Sequence, residues 1–178
     1  MKFTASSADL LEALNTVNRA VPSKSTMPIL ECILFEREED TLRLSATDLE
    51  ISIVQTVPVQ FEKNGTPEST PIAVPAQRLL DTLRALPDMP IEFSADGDFE
   101  IRMETDQGHY KMVGHDGEDY PELPDIESQH EITVEGGLLG RAIDKTAFAV
   151  SQDALRPAMM GVYFQMGEEE TRVVATDG

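Results

Sequence analysis

The feature that most constrains the fold is an internal repeat with a constant offset of 129 residues. Ala46-Thr47-Asp48 returns as Ala175-Thr176-Asp177 near the end of the chain. Other identical pairs at this offset, without a gap, are Thr4 and Thr133, Leu10 and Leu139, Ala13 and Ala142, Pro28 and Pro157, Phe35 and Phe164, and Arg43 and Arg172. Solenoid repeats have periods of about 20–50 residues, whereas this offset is the size of a domain. We therefore expect one whole domain followed by the leading part of a second copy, in a chain that is itself a fragment.

Helix and strand patterns follow the same order twice within the first domain. A strand-like start precedes Leu10, Leu14 and Val17 at helical spacing, and three alternating segments follow Pro22. The segment PIAV, a helix that starts near Pro75 and three more alternating segments repeat that order. We predict an α+β fold with two pseudo-symmetric β-α-β-β-β halves, at about 1–62 and 70–114, and helices on one face of antiparallel sheets.

The acidic, proline-rich stretch 115–130 shows no periodicity and is predicted to be a linker. The first domain is placed at 1–122, the linker between domains at 123–130, and the truncated half of a second domain at 131–178. In that half, EITV is predicted to be a strand and GLLGRAIDKTAFAV a helix, followed by two strands. The predicted buried face of this helix comprises Leu138, Leu139, Ala142, Ile143 and Val150.

The net charge of −19 argues against nucleic acid at first, because binding to phosphates needs a basic surface. A minority of bases on one surface can nevertheless produce a local positive field. Basic residues on the predicted solvent-facing sides of the helices are Arg19, Arg78, Arg84, Arg141 and Lys145, and Lys24 follows the first helix. We expect the acidic residues to collect in turns and linkers such as EREED, DGEDYPE and GEEE.

Several classes of protein are disfavoured by the sequence. No apolar run reaches the roughly 18 residues of a membrane span, and the N-terminus has no signal-like core, so we expect a cytoplasmic protein without a membrane partner. The lone Cys32 lies in an apolar run and is expected to be a buried small hydrophobe. The three histidines fit no metal pattern, and no nucleotide or nucleophile motif occurs, so we expect no cofactor, no metal and no enzyme.

Five motifs together resemble the bacterial sliding-clamp family, the beta subunit of DNA polymerase III. They are MKFT, MPIL, ATDLE, EDYPELP and QDALRPAMMGVYF leading to ATDG, and the resemblance extends from Met1 to Gly178. It implies the DNA clamp fold and, in a full-length protein, a homodimeric ring with three such domains per subunit. The ring would encircle double-stranded DNA, slide along it and tether the replicative polymerase as a processivity factor. The present chain would lack the ring-closing third domain.

The resemblance also implies roles for particular residues. The DNA-binding set is Arg19, Lys24, Arg78, Arg84, Arg141, Lys145, Gln152 and Arg156. Pro157 and Ala158 stand where aromatic residues can occur in the family, so stacking from that loop is not expected. A cleft for peptides of the DNA polymerase III core, the clamp loader and other factors would include Met159, Thr176 and Gly178. The ring interface would include Tyr110 and Met112.

Two alternatives remain open from the residues alone. A duplicated α+β protein-interaction module with no nucleic-acid role is favoured if the basic residues do not cluster on the helical side. An enzyme with an acidic metal site requires carboxylates that converge in a pocket. A further hypothesis concerns 131–178: because the halves of a domain are similar, two copies could pair their unpartnered halves into one makeshift domain.

Overall fold

The computed structural model describes residues 1–62, 70–123, 132–167 and 170–178. The chain divides into unit 1, Met1–Asp125, and unit 2, Ile126–Gly178. Three predicted segments lie partly outside the described residues: 63–69 between the two halves, 124–130 of the linker, and Glu168 and Glu169 of the GEEE turn.

Unit 1 repeats one order of elements, as its sequence pattern predicts. Its strands and helices are β1 (Lys2–Ser6), α1 (Ser7–Val17), β2 (Cys32–Glu38), β3 (Thr41–Thr47), β4 (Ser52–Pro58), β5 (Gln60–Phe61), β6 (Ile72–Pro75), α2 (Ala76–Arg84), β7 (Pro90–Ala95), β8 (Glu100–Thr105), β9 (Gly108–Val113) and β10 (His115–Asp116). Short 3-10 turns lie at Asn18–Ala20, Pro28–Glu31 and Gly117–Asp119. Each half therefore contains a strand, a helix, three strands and one short closing strand.

Local signals explain where the helices begin and which side they bury. The Ser6 hydroxyl caps α1 by accepting a hydrogen bond from the Asp9 backbone N–H at 3.3 Å. The Asp9 carboxylate lies in the first turn, where it interacts favourably with the positive end of the helix dipole. Leu10 and Leu14, four residues apart, are fully buried. The leucines thus direct one side of α1 into the core and leave the polar side in solvent.

The two halves of unit 1 exchange their first strands. One sheet has the order β5-β1-β7-β8-β9, and the other has the order β10-β6-β2-β3-β4. In the first sheet Phe3 lies opposite Phe93, and in the second Ile72 lies opposite Phe35, with antiparallel pairing in both. Because the first strand of each half belongs to the sheet of the other, neither half completes a sheet by itself.

Three phenylalanines connect the two sheets at the centre of unit 1. The rings of Phe3 and Phe93 stack with centroids 4.8 Å apart, and those of Phe35 and Phe93 stack at 5.4 Å. The inner residues of both sheets and the buried sides of both helices belong to one continuous core cluster. Alternate residues such as Arg102 and Lys111 point to solvent, as a half-buried strand requires.

The segment 115–120 is part of unit 1, so the linker predicted at 115–130 begins too early. β10 pairs with β6, and the Gly117 N–H donates to the Pro71 carbonyl at 3.1 Å. Tyr120 is 5% exposed. Its hydroxyl accepts from the Thr47 N–H and donates to the Cys32 carbonyl, both at 3.3 Å. A two-residue strand and a single tyrosine have no periodicity, which is why the sequence pattern missed them.

Unit 2 contains α3 (Gly136–Asp144), β11 (Tyr163–Met166) and β12 (Thr171–Val174). Tyr163 lies opposite Val174, and the equivalent residues of unit 1, Leu34 and Ser45, lie opposite each other in the same register. The strand predicted at EITV is not observed, since 132–135 form no strand and Glu131 lies outside the described residues. In unit 1 the equivalent β1 is held between β5 and β7, and the described part of unit 2 contains no such pair of strands.

The predicted buried face of α3 is largely exposed. Leu138 is 53% exposed, and Leu139 and Ile143 are each 38% exposed, whereas Ala142 and Val150 are half-buried. In unit 1 the equivalent helix α1 packs against α2 and β4. The amphipathic pattern of α3 therefore predicts the helix correctly but not its burial, which depends on a second surface.

We expect Tyr120→Phe to destabilise unit 1 by about 1–3 kcal/mol, because the change leaves the buried Thr47 N–H and Cys32 carbonyl without their partner. Urea unfolding followed by circular dichroism measures this difference. Tyr110→Phe is the matched control, since the half-buried Tyr110 hydroxyl makes no hydrogen bond within the described residues. Equal stability of the two variants would contradict the role of the Tyr120 hydroxyl.

Candidate nucleic-acid interface

α2 exposes two arginines on the side away from the core. Arg19, predicted on the polar side of the first helix, lies instead in the 3-10 turn that follows α1, because α1 ends at Val17 and contains no basic residue. Arg19, Arg78 and Arg84 are exposed, whereas Leu79 and Leu83 of α2 are 0% and 1% exposed. α1 and α2 contact each other, and Arg84 Nη2 donates to Asn15 Oδ1 at 3.0 Å across the two helices. The outer surfaces of the helices are therefore contiguous, and Arg84 lies where they meet.

Acidic residues share these helices, which corrects the expectation that acids collect only in turns and linkers. Asp9 and Glu12 of α1 and Asp81 of α2 are exposed. Asp9 is favoured at the helix N-terminus, and Asp81 lies 3.6 Å from Arg84 and accepts from Gln77 at 2.8 Å. The helical surface of unit 1 is thus mixed in sign, and its contact with an anionic polymer would be weak.

Ion pairing differs between the sheet surface and the helical surface. On the sheets, Arg102 pairs with Glu100 at 2.6 Å, and Lys111 lies 3.4 Å from the same carboxylate. These contacts hold the pKa of Glu100 below its usual value, the hydrogen bond from Arg102 being the main cause. Within the described ranges, the charged groups of Arg19, Lys24 and Arg78 have no carboxylate within 4.0 Å. Arg19, Lys24 and Arg78 are therefore left available among the bases predicted to meet DNA in unit 1, whereas Arg84 lies 3.6 Å from Asp81.

The predicted DNA-facing residues of unit 2 are all exposed. Arg141 and Lys145, at the end of α3, have no carboxylate within 4.0 Å in the part of the chain that the structure describes. Gln152 and Arg156 flank the turn before the 3-10 segment Pro157–Met159. Arg156 Nε donates to Asp153 Oδ2 at 3.1 Å, so its charge is partly compensated.

Met159, Thr176 and Gly178, the residues predicted for a peptide cleft, lie together in unit 2. The Gly178 N–H donates to Thr176 Oγ1 at 3.2 Å. A Cβ atom on Gly178 would lie 3.9 Å from Met159 Sδ and only 2.8 Å from Arg156 Nη1. Gly178 also has a φ of +109°, which favours glycine. The absence of a side chain at Gly178 therefore makes room for the Arg156 guanidinium. Arg156 borders the cluster of Met159, Thr176 and Gly178 as well.

The equivalent turn of unit 1 shows how the Thr-Asp pair shapes the backbone. Asp48 Oδ1 accepts from the Ile51 N–H at 2.7 Å and the Glu50 N–H at 2.9 Å, which lowers the Asp48 pKa. Its stabilising effect is present above the unfolded pKa of about 3.8 and is lost as the pH falls through the lower folded value. Leu49, equivalent to Gly178, has a φ of +77°, so both turns use left-handed backbone.

The predicted ring interface requires a correction at Met112. The prediction needs an edge strand with an unpaired backbone, and β9 is the edge strand of its sheet. Met112, however, is 6% exposed and belongs to the core of unit 1, and Tyr110 is half-buried against that core. The opposite face of β9 presents Lys111 and Val113 to solvent. Alternation predicted the shared face of Tyr110 and Met112 correctly but did not show that this face points inward.

The described residues give little support to metal binding, to a reactive cysteine or to a membrane-spanning helix. No group of three or more His, Cys, Asp or Glu side chains there is placed to hold a metal ion. Cys32 is 2% exposed, and burial raises the pKa of its thiol to about 11, so its thiolate is scarce at neutral pH. Among the described segments, none of the helices is long and apolar enough to cross a membrane.

Two interlocked sheets with a helix pair on one face, followed by the start of a second copy, define a clamp-type fold. The family model for the DNA polymerase III beta subunit N-terminal domain matches residues 1–124, and that for its central domain matches residues 133–178. The chain belongs to the DNA polymerase III beta subunit family, the bacterial sliding clamps.

Individual relatives agree with this assignment. The beta sliding clamp of Vibrio cholerae is 30% identical over 179 residues, and that of Caulobacter vibrioides is 34% identical over 185 residues. Both alignments cover 100% of this chain and 48% of the relative. The chain therefore spans about half the length of these clamps.

Solved structures confirm the predicted α+β clamp fold. A putative DNA polymerase III beta subunit from Eubacterium rectale has a TM-score of 0.92 at 30% identity, and the Bacillus subtilis sliding clamp has a TM-score of 0.90 at 30% identity. These superpositions cover 100% and 99% of this chain and 47% of each neighbour. A clamp from Pseudomonas aeruginosa bound to griselimycin has a TM-score of 0.88 at 28% identity and covers 99% of this chain and 47% of that clamp.

We expect the variant Arg19→Gln/Arg78→Gln to unfold within about 0.5 kcal/mol of the parent, because exposed side chains without strong partners contribute little to stability. Leu83→Ala, on the buried side of α2, should cost about 2–5 kcal/mol. Urea unfolding of both variants measures the contrast. A large loss for the arginine variant would mean that these arginines support the fold rather than a ligand.

Proposed function

We propose that this chain is part of a DNA polymerase processivity factor, a ring that encloses duplex DNA and slides along it. The observation that carries the proposal is the placement of Arg78 and Arg84 on the exposed side of α2, opposite its buried leucines, with Arg84 bonded to Asn15 of the neighbouring α1. Arg19 is exposed in the turn that follows α1. Membership of the sliding-clamp family supports it. The ring itself, with its homodimer and third domain, is proposed from the longer relatives, of which this chain spans about half.

Sliding requires weak contact, and the charges of this chain suit that requirement. A protein that contacts many phosphates with unpaired bases binds DNA tightly and loses affinity steeply with salt. Here the chain carries a net charge of −19, Asp81 lies between Arg78 and Arg84 on α2, and α1 exposes acids but has no basic residue. Enclosure by a ring would retain the duplex, while a few exposed arginines and lysines would keep the helical surface from repelling it.

Each group of predicted residues receives a role in this proposal. The DNA-facing set is the exposed bases of the helices with Lys24, Gln152 and Arg156. The peptide-docking set is Met159, Thr176 and Gly178, and their proximity supports a common site. The ring interface would use the edge backbone of β9, with Tyr110 as its half-buried contributor. The corresponding domains are residues 1–122 and the leading part of a second from 131.

The partners follow from this role. Peptide segments of the DNA polymerase III core, the clamp loader and other clamp-binding proteins would dock at the Met159 cluster, where a flexible thioether adapts to several apolar ligands. The protein would act by enclosure and tethering, without catalysing a reaction. Its place of action would be the cytoplasm, where bacterial DNA is replicated.

A chimera tests the processivity role directly. Residues 1–178 would replace the matching part of the Bacillus subtilis clamp, and its retention on nicked circular plasmid would be measured after loading. We expect retention on the circle and loss after the plasmid is cut, because a ring held by topology slides off an end. A folded, dimeric chimera that is never retained on the circle would contradict the proposal.

Charge reversal in the 178-residue chain tests the DNA-facing surface separately. On adding a 30-base-pair duplex at low salt, we expect amide NMR shifts in α2, the segment from Asn18 to Lys24, the end of α3 and the turn from Gln152 to Arg156, which fade by about 200 mM salt. Arg19→Glu/Arg78→Glu should abolish the shifts in unit 1. Lys111→Glu, on the sheet surface, is the matched control and should leave them unchanged. An equal effect of the control variant would favour non-specific attraction.

A further inference from the structure

A cavity of about 510 Å³ opens at one end of the layer between the two sheets of unit 1. One sheet contributes the start of β1, the end of β5 and the turn between β7 and β8, and the other contributes the end of β2 and the start of β6. Small-molecule sites commonly have about 300–1,000 Å³ and combine an apolar lining with a few polar groups. The cavity therefore has the size of a binding site, and its lining determines which ligand fits.

The two halves of unit 1 differ in one residue that lines this cavity. Ile33 and Phe35 face the core, so alternation along β2 directs Arg37 to the same inward side. The equivalent position in the second half, two residues after Phe93, is Ala95. Both residues line the cavity, where the small Ala95 leaves space that a larger side chain would fill.

Contacts with the neighbouring chain hold the Arg37 guanidinium in one orientation. Its central carbon lies 4.4 Å from the centre of the Phe61 ring, and Nε donates to the Glu39 carbonyl at 3.1 Å. Within the described ranges, Arg37 has no carboxylate within 4.0 Å. The Met1 amine, which also lines the cavity, donates to the Ala95 carbonyl at 2.9 Å. The terminal nitrogens of Arg37 therefore remain available to a ligand.

The other charged side chains that line the cavity are already paired. Lys2 Nζ lies 2.7 Å from Glu62 Oε1. Arg102 lies 2.6 Å from Glu100 and 3.7 Å from Asp96. These three carboxylates would repel a ligand with several negative charges, such as a polyphosphate. A single carboxylate suits the cavity better, because a guanidinium binds it through two parallel hydrogen bonds.

Two phenylalanine rings provide the apolar part of the lining. Phe61 packs edge-on against Phe3 with ring centroids 5.8 Å apart. Phe99 has a φ of +59°, which is unusual for a bulky residue. Its N–H donates to the Asp96 carbonyl at 3.2 Å, and its carbonyl accepts from the Gly114 N–H at 2.9 Å. Strained backbone of this kind is often found at ligand sites, and here it holds a half-buried ring at the cavity.

We propose that this cavity binds a small aromatic carboxylate. The carboxylate would pair with the Arg37 guanidinium, and the aromatic ring of the ligand would pack against Phe61 and Phe99. The first contact supplies charge-assisted hydrogen bonds, and the second removes apolar surface from water. The site is separate from the proposed DNA-facing, peptide-docking and ring-interface residues, none of which lines the cavity.

A titration of the 178-residue chain with 4-phenylbutyrate tests the proposal, with 4-phenylbutanol as the neutral analogue. By NMR, we expect saturable shifts at Arg37, Phe61 and Phe99 on adding the carboxylate. The alcohol should bind roughly 10–100-fold more weakly, because it cannot form the charged hydrogen bonds. Inorganic phosphate at the same concentration should not displace the carboxylate, since phosphate has no apolar part.

Two half-buried arginines of the same sheet provide matched variants. Arg37→Gln should weaken the binding of 4-phenylbutyrate roughly tenfold or more. Arg43→Gln should leave it unchanged, because Arg43 pairs with Glu36 at 2.9 Å and does not line the cavity. Arg37→Lys keeps the charge but loses the planar fork, so its affinity should fall between those of the parent and Arg37→Gln. Circular dichroism verifies that each variant is folded.

The absence of saturable shifts up to about 10 mM 4-phenylbutyrate would overturn the proposal. Equal affinity for 4-phenylbutanol would also overturn it, because the cavity would then accept apolar ligands without recognising the anion. Equal weakening by Arg37→Gln and Arg43→Gln would contradict the role of Arg37. If Arg37→Gln does not fold, Arg37→Lys and the comparison of acid with alcohol on the parent chain decide the matter.

Discussion

The reciprocal exchange of β1 and β6 is the constraint on which the rest of unit 1 depends. Each strand is hydrogen-bonded into the sheet of the other half, and Phe3, Phe35 and Phe93 stack where the two sheets meet. An unpaired strand buried in a core would leave its N–H and C=O groups without partners, so we expect neither half to be stable alone. The exchange also explains two features of unit 2. Residues 132–135 form no strand, and α3 has no fully buried residue.

The same arrangement determines which surface is available for function. Because both sheets and the leucine sides of α1 and α2 enclose one core, the polar sides of the helices form a separate outer surface. Ion pairs on the sheets occupy Arg102 and Lys111, whereas Arg19 and Arg78 have no carboxylate within 4.0 Å among the described residues. A strongly acidic protein can in this way carry exposed bases on one surface, and the acids beside them limit the positive field there.

Local patterns in the sequence predicted the elements well, and long-range contacts account for what they missed. Leucine spacing located both helices of unit 1, and the repeat located the turn with Gly178. The strand exchange joins residues about 90 positions apart in one sheet and about 40 apart in the other, and it leaves no local signal. Met112 and Tyr120 were misjudged for the same reason, since alternation does not say which face of β9 is covered and a lone tyrosine has no period. The sequence pattern also cannot show whether Arg19 and Arg78 contact DNA, because that contact depends on a ligand outside the chain.

Native-state hydrogen exchange of the 178-residue chain tests the exchange of strands most directly. If neither half stands alone, the amides of β1 and β7 and those of β2 and β6 should lose protection at one denaturant concentration, with one slope. That result would show that the two sheets open as a single cooperative unit. Continued protection of β2, β3 and β4 after β6 and β7 have opened would contradict the account, because the first half would then hold its structure without the second.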